Sequence, residues 1–183
     1  MAYKHKQIVN TVTGQSIRFL QTAKDTNGQL LEMEATFNKK SKQPAPHYHP
    51  YQHETFAVMQ GALSMVIDGV TKVLWAGETI QIPANTVHSM WNNSGSKTVV
   101  NWKVQPALTT EYFLENATGL AAEGKTNRQG MPGLLQVAIM ANKFSNSFRL
   151  AKPSFFIQKI VFSILSPVAY LFGYRAAYKK YEN

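Results

Sequence analysis

Short apolar segments separated by turn residues occupy roughly the first 105 residues of the chain. The dipeptides Asn27-Gly28 and Asp68-Gly69 favour β-hairpins, because a type I′ turn needs positive φ at both central positions. Segments that recur at roughly this 8–12-residue spacing predict a mainly β fold, a barrel or sandwich with room for one small ligand. The predicted strands are Ile8–Val12, Ser16–Leu20, Leu30–Phe37, Thr55–Met59, Ala62–Ile67, Val70–Trp75, Thr79–Ile82, Val87–Trp91 and Thr98–Val104.

The stretch that begins at His47 carries side chains suited to metal binding. His47 and His49 are two residues apart, and in an extended segment such side chains point to the same side. Neutral imidazole is a good ligand for first-row transition ions. Glu54 follows in the same stretch, and His88 comes from a separate predicted strand. These four residues are the candidate ligands of one metal site.

The two stretches resemble the two sequence motifs of the cupin superfamily. The first motif, H-x-H-x(4)-E-x(6)-G, is filled by His47, His49, Glu54 and Gly61. The second motif, G-x(5)-P-x-G-x(2)-H-x(3)-N, is filled by Gly77, Pro83, His88 and Asn92. The chain is most similar to small single-domain cupins of the quercetin-dioxygenase-like kind. That resemblance implies a double-stranded β-helix (jelly-roll) barrel and the chemistry of a small-molecule oxidoreductase.

Two positions depart from the cupin pattern, and neither is a metal ligand. Ser41 stands where a glycine precedes the first histidine, and Asn85 stands where a glycine follows the proline. Asn tolerates positive φ better than most residues, so the turn at Asn85 is expected to survive. The resemblance covers about Gln29 to Gln105 and leaves the last third of the chain unexplained.

Three imidazoles and one carboxylate suit several divalent transition ions. Fe, Mn, Ni, Cu and Zn all accept such a set, and affinity alone does not choose among them. One such ion per chain, with octahedral geometry, would keep two open positions for substrate, water or O₂. Glu54 is also the candidate catalytic residue, since it could exchange between ligand and base. His53 neighbours Glu54 on a strand and is therefore predicted to face away from the metal.

Strand alternation predicts the walls of a substrate pocket. Phe56 and Val58 share the face of Glu54, while Thr86 and Met90 share the face of His88. This largely apolar lining favours a substrate with an aromatic or aliphatic body and a metal-chelating oxygen function. The alternative is that these four side chains simply fill the barrel.

Three functions are compatible with this site. The first is a dioxygenase-like oxidoreductase, and the second is an isomerase or lyase that uses the metal as a Lewis acid. The third is a non-catalytic module that senses a metabolite or metal through the barrel and binds a membrane or a partner through its tail.

Residues 1–107 are predicted to form the barrel, and residues 108–183 a basic amphipathic helical extension. Helices are expected over Thr109–Glu123, from Pro132 to about Phe144, and from Pro153 onward, with Pro167 kinking or dividing the last one. Apolar residues recur at helical spacing in that last segment. This apolar stripe consists of Ile157, Ile160, Val161, Ile164, Leu165, Val168, Leu171 and Phe172.

The extension also carries nearly all of the chain's net charge of +9. Residues 1–123 hold 10 Lys+Arg and 9 Asp+Glu, whereas residues 124–183 hold 9 Lys+Arg and a single acid, Glu182. Docking of the apolar stripe on the barrel or a partner subunit is the first expectation. Peripheral membrane contact comes second and a spanning anchor last. Nucleic acid is not expected, because the basic residues are interleaved with aliphatic residues that need burial.

The sequence also bears on compartment and assembly. The residues Met1–Gln7 contain no apolar h-region, which favours a cytoplasmic protein over a secreted one, with association of the extension with a membrane as an open alternative. Small cupins commonly pair, and a homodimer is expected in which an N-terminal strand joins the sheet of the neighbour and covers its edge.

Overall fold

A computed structural model describes residues 2–182 and contains eleven strands and three α-helices in that range. The strands are β1 (Gln7–Asn10), β2 (Gln15–Gln21), β3 (Leu31–Phe37), β4 (His47–Tyr48), β5 (His53–Gln60), β6 (Ala62–Ile67), β7 (Val70–Trp75), β8 (Thr79–Ile82), β9 (His88–Trp91), β10 (Thr98–Gln105) and β11 (Arg149–Leu150). The helices are α1 (Thr110–Ala122), α2 (Leu134–Lys143) and α3 (Phe155–Leu171). A 3₁₀ turn covers Lys179–Tyr181.

The strands form two antiparallel sheets. One has six strands in the order β1-β2-β3-β10-β5-β8, and the other has five in the order β11-β4-β9-β6-β7. Inward-facing side chains such as Phe19, Met33, Leu63, Met65 and Val100 form one continuous core. Non-sequential neighbours such as β3 and β10 show that the chain crosses over rather than forming a simple meander. The predicted mainly β barrel with a C-terminal helical extension is confirmed.

Turn chemistry explains which strand boundaries the sequence could predict. Asp68 and Gly69 have φ of 46° and 82° and join β6 directly to β7, as a two-residue hairpin requires. Asn27 and Gly28 also have positive φ, of 50° and 80°, but they lie within the longer connection from β2 to β3. There Thr26 Oγ1 donates to the Leu30 carbonyl at 2.6 Å and stabilises a wider loop.

Helix α3 continues through Pro167 and ends at Leu171, so the predicted division of this helix is wrong. A proline within a helix lacks the N–H that would bond to the carbonyl four residues earlier. That carbonyl belongs to Ser163, an exposed residue, and water can therefore satisfy it.

The extension packs on its own barrel. Helix α1 lies against β1, and Lys6 Nζ donates to Glu115 Oε1 at 2.6 Å in a mostly buried ion pair. A second cluster joins α1, α2 and the C-terminal 3₁₀ turn. It consists of Leu120, Met140 and Phe144, with Tyr112, Phe113, Ala117, Ala177, Tyr178 and Tyr181 packed against them. The first two strands pair within the chain's own six-stranded sheet.

Helix α3 packs on α2 through the side opposite the apolar stripe. Its buried residues are Gln158, Phe162 and Ala169. Gln158 Nε2 donates to the carbonyls of Leu150 and Pro153 at 2.8 and 2.7 Å and fixes that side against the protein. The stripe therefore does not dock on the barrel, so this part of the first expectation is wrong, while docking on a partner subunit stays a prediction. Across residues 2–182, no helix is both long and apolar enough to cross a bilayer.

Replacing Gly119 with alanine should destabilise the extension. A Cβ at Gly119 would lie 2.4 Å from the Tyr181 ring, a distance that requires the 3₁₀ turn to move. The clash should cost about 1–3 kcal/mol of unfolding free energy and outweigh the gain of roughly 1 kcal/mol in helix propensity. In a Tyr181→Ala background the same substitution should become stabilising. Denaturant unfolding of the two pairs of variants measures this reversal, and equal effects in both backgrounds would contradict the contact.

Candidate metal centre

Two neighbouring strands of the five-stranded sheet place His47 and His88 side by side. His47 on β4 and His88 on β9 are paired in register, and β11 pairs with β4 on its other side. His49 follows β4 directly. Glu54 comes from the opposite sheet, where alternation along β5 turns it into the barrel. The cluster therefore bridges the two sheets.

The side chains converge closely. His47, His49 and His88 each offer a ligand nitrogen within 4.8 Å of the others, and all three residues are buried. The ring centroid of His47 lies 4.6 Å from that of His88 and 5.3 Å from that of His49. Glu54 Oε2 lies 2.8 Å from His88 Nε2 and 3.3 Å from His49 Nε2. The structure thus brings together the four residues that the motifs single out.

Backbone carbonyls fix the tautomer of every imidazole in the cluster. The Nδ1 atoms of His47 and His88 contact the carbonyls of Ala45 and Thr86 at 3.0 and 2.9 Å, and that of His49 contacts the Ser147 carbonyl. A carbonyl can only accept, so each Nδ1 carries the proton in the neutral ring. The lone pair of each neutral imidazole then lies on Nε2. Such outer contacts orient ligating histidines in metal sites.

Three buried polar atoms of this cluster have no hydrogen-bond partner within residues 2–182: His49 Nε2, His88 Nε2 and Glu54 Oε2. With the proton on Nδ1, a neutral Nε2 has only a lone pair to offer the carboxylate oxygen, so the short contacts with Glu54 Oε2 are not hydrogen bonds between neutral rings and the carboxylate. Burying such atoms without a partner is costly, and a divalent cation at their meeting point would satisfy all three. The other carboxylate oxygen, Glu54 Oε1, accepts a 2.9 Å hydrogen bond from Trp102 Nε1. The donor set fits a divalent transition ion.

Burial and mutual charge separate the pKa values within the cluster. Burial, together with the charges of His88 and His49, lowers the pKa of His47 to about 3. Burial opposes ionisation of Glu54, but the charge of His49 and the contact with His88 outweigh it and lower its pKa to about 2. Burial would lower the pKa of His88, but the Glu54 carboxylate raises it. Glu54 is therefore an anion and His47 a neutral base at neutral pH, the forms in which both bind metals.

The extension supplies part of the site. The Phe148 ring stacks on His47 with centroids 4.7 Å apart, and Phe113 stacks on Phe148 at 4.4 Å. The hydroxyls of Ser147 and Thr109 lie 2.7 Å apart and hold this segment against the start of α1. Sequence reasoning missed Ser147, Phe148 and Trp102. Alternation along β10 could have identified Trp102, but no motif marks the other two.

A cavity of about 170 Å³ adjoins the cluster and is lined by both barrel and extension. Most of its wall is apolar, including Phe37, Trp102, Phe113, Met131 and Phe148. His47 and His49 also line it.

The residues predicted to line the pocket occupy three different places. Met90 lines the cavity. Phe56 and Val58 are buried in the core between the sheets, where Phe56 stacks on Trp102 at 5.6 Å. Thr86 is half-buried in the turn before β9 and contributes its carbonyl to His88. His53 is half-buried and outside the three-histidine cluster.

A sequence profile of the cupin domain matches residues 33–102, the part of the chain that holds both motifs and the four clustered side chains. Residues 33–102 are a cupin domain. The match confirms the family that the motifs indicate. Asn85 adopts a φ of 65° where the cupin pattern has glycine, so the turn expected there is formed.

Two curated proteins are similar to this cupin. Quercetin 2,3-dioxygenase of Bacillus subtilis is 35% identical over 103 residues, which cover 56% of this chain and 30% of that enzyme. A protein of Arthrobotrys oligospora named an oxidoreductase is 29% identical, over 56% of this chain and 43% of its own length. The chain thus spans less than half the length of the curated relatives it matches.

Solved cupin structures show limited similarity. An RmlC-like cupin from Shewanella frigidimarina is 20% identical, with a TM-score of 0.49, over 61% of this chain and 94% of that one. A sugar phosphate isomerase of the cupin superfamily from Silicibacter pomeroyi is also 20% identical, with a TM-score of 0.47, over 55% and 70% of the two chains.

Proposed function

We propose that this cupin is a metal-dependent, dioxygenase-like oxidoreductase that acts on a small, largely apolar molecule with a chelating oxygen function. The observation that carries the proposal is the set of buried, unpartnered atoms on His49, His88 and Glu54, which point at one another beside a cavity. The similarity to an enzyme named quercetin 2,3-dioxygenase supports oxidation as the reaction class.

His47, His49, His88 and Glu54 would hold the ion. Once bound, a divalent transition ion supplies Lewis-acid and electron-transfer chemistry. Glu54 would also accept a proton from the substrate, because it is ionised at neutral pH and its Oε2 is free of other donors in the described chain. Trp102 orients that carboxylate by holding Oε1. Phe148 and Phe113 exclude water from the histidine side of the cavity.

The cavity limits the size of the substrate. Pockets for drug-sized ligands begin at about 300 Å³, and an apolar cavity of about 150 Å³ holds benzene. The volume of about 170 Å³ found here suits one ring or a short aliphatic body. We therefore propose a substrate no larger than one ring with two adjacent oxygens.

A turnover experiment tests the proposal. Protein loaded in turn with Fe, Mn, Ni, Cu and Zn would be mixed with small catechols, β-diketones and hydroxyketones, and dioxygen uptake measured with an electrode. The proposed function predicts uptake that matches product formation, with oxygen atoms incorporated into the product. Conversion without uptake or change of mass would instead establish an isomerase, and a fragment-forming cleavage without uptake a lyase. Binding with no conversion of any probe would establish a sensor.

We also propose that the protein forms a homodimer. The first two strands pair within their own sheet, so exchange would require β1 to leave β2 and extend the sheet of a second copy. Edge strand β7 offers another contact through exposed Val70, Val73 and Trp75. Sedimentation at micromolar concentration should show about twice the 20.5 kDa of one chain. A species of 20.5 kDa alone would contradict the dimer.

A further inference from the structure

The outward side of α3 is a long apolar surface. Seven of the eight residues of the apolar stripe are exposed, all except the half-buried Leu165. Phe156 extends this surface at the start of the helix. Leu171, Phe172, Phe156 and Ile164 expose 87%, 74%, 72% and 67% of their areas. A surface of this size on a folded domain marks an interaction site.

The orientation of α3 is fixed by polar contacts on its other side. Gln158 bonds to two backbone carbonyls, and Ser166 Oγ accepts a 2.7 Å hydrogen bond from Asn142 Nδ2. Rolling the stripe inward would break these bonds. These hydrogen bonds therefore hold the helix with its apolar side facing outward.

Positive charge accompanies α3 along the chain. Lys152 precedes α3, Lys159 lies on it, and Arg175 and Lys179 follow it, all of them exposed. None of these four forms an ion pair with another residue of the 2–182 range. From residue 124 to residue 181 the sequence contains no acid at all. Tyr170 and Tyr174 stand exposed at the C-terminal end of the helix, and such rings favour the level of lipid headgroups.

We propose that α3 is a membrane-docking helix that lies in the plane of an anionic lipid surface. The apolar stripe enters the boundary between headgroups and acyl chains, and these four cations contact lipid phosphates. Charge complementarity favours this occupant over a second copy of the chain. Two copies joined through α3 would bring together two strongly basic segments with no acid between residues 124 and 181 to pair them.

Vesicle binding by the full-length protein tests the proposal. The probes are vesicles of phosphatidylcholine alone and of roughly three parts phosphatidylcholine to one part phosphatidylglycerol. We expect cosedimentation with the anionic vesicles, weakened at least about fivefold when NaCl is raised from about 0.05 M to about 0.5 M. Binding to phosphatidylcholine alone should be weaker by about tenfold or more.

Two variants separate the apolar and ionic contributions. The double variant Leu171→Ser/Phe172→Ser should bind the anionic vesicles about tenfold or more weakly. The variant Lys152→Gln/Lys159→Gln/Arg175→Gln should bind them about as weakly as wild-type protein binds phosphatidylcholine. Tyr3 and Met59, which are 60% and 65% exposed in the barrel part of the chain, supply the matched control Tyr3→Ser/Met59→Ser, which should bind like wild type.

Two outcomes would overturn the docking proposal. One is equal binding of the wild-type protein and the Leu171→Ser/Phe172→Ser variant to the anionic vesicles, including no binding by either. The other is a dimer in sedimentation that this double variant dissociates, because a second copy would then cover the stripe. A dimer that survives the double variant is compatible with membrane docking, since it must use another surface.

Discussion

Replacing His88 or His49 with alanine should remove the divalent ion from the purified protein. Each substitution deletes a buried nitrogen that points at the centre of the cluster, and the Glu54 carboxylate would keep only one imidazole beside Oε2. Metal content should fall from about one ion per chain to about a tenth of that or less, since loss even of an outer-shell contact commonly costs 10–100-fold in affinity. Elemental analysis after loading and desalting measures it.

His53→Ala is the matched control for these variants. His53 lies one residue from Glu54 but outside the histidine cluster, so this variant should keep the ion. Far-ultraviolet circular dichroism should show that all three variants remain folded. A His88→Ala protein that keeps full occupancy, or a wild-type protein that retains none of the ions supplied, would refute the metal centre.

Deleting residues 153–183 should strongly destabilise the protein. The deletion removes the buried Phe162 of α3, the buried Ala169 and Ala176 that pack against Ile139 of α2, and the half-buried Tyr178 and Tyr181 that pack in the cluster with α1. The lost apolar burial should cost about 5 kcal/mol or more and lower Tm by roughly 10–20 °C. Calorimetry measures the shift, and binding of a fluorescent apolar dye reports the exposed faces of α1 and α2.

The variant Leu171→Ser/Phe172→Ser is the control for the deletion. Its two side chains contact solvent rather than the protein, so its unfolding free energy should stay within about 0.5 kcal/mol of wild type. A deleted protein with an unchanged Tm would show that α3 and the 3₁₀ turn do not stabilise the rest of the chain.

Local chemistry made the strands and the metal cluster predictable. The bounds of β6, β7 and β8 follow from the turns beside them, such as Asp68-Gly69. The histidines could be grouped because the spacing of the cupin motifs indicates which residues lie close together in the folded barrel. Isolated two-residue strands such as β4 and β11 carry too few side chains for any periodicity, and they were not predicted.

The contribution of the extension could not be predicted, because it depends on tertiary position. Helical spacing defines the apolar stripe of α3 but not the direction that it faces. The direction is decided by Gln158, whose bonds to Leu150 and Pro153 hold the opposite side inward. Likewise, nothing in the sequence around Phe148 indicates that its ring lies on His47.

The pairing of β4 with β11 has a consequence for the order in which the protein folds. His47 pairs with Leu150, and His49 is oriented by Ser147, so the first histidines depend on residues about a hundred positions later. During synthesis the N-terminal strands emerge first and can begin to assemble before these residues exist. A nascent barrel therefore holds all four clustered side chains before two of its imidazoles acquire their final supports. The centre matures only when the chain has been made at least as far as Leu150.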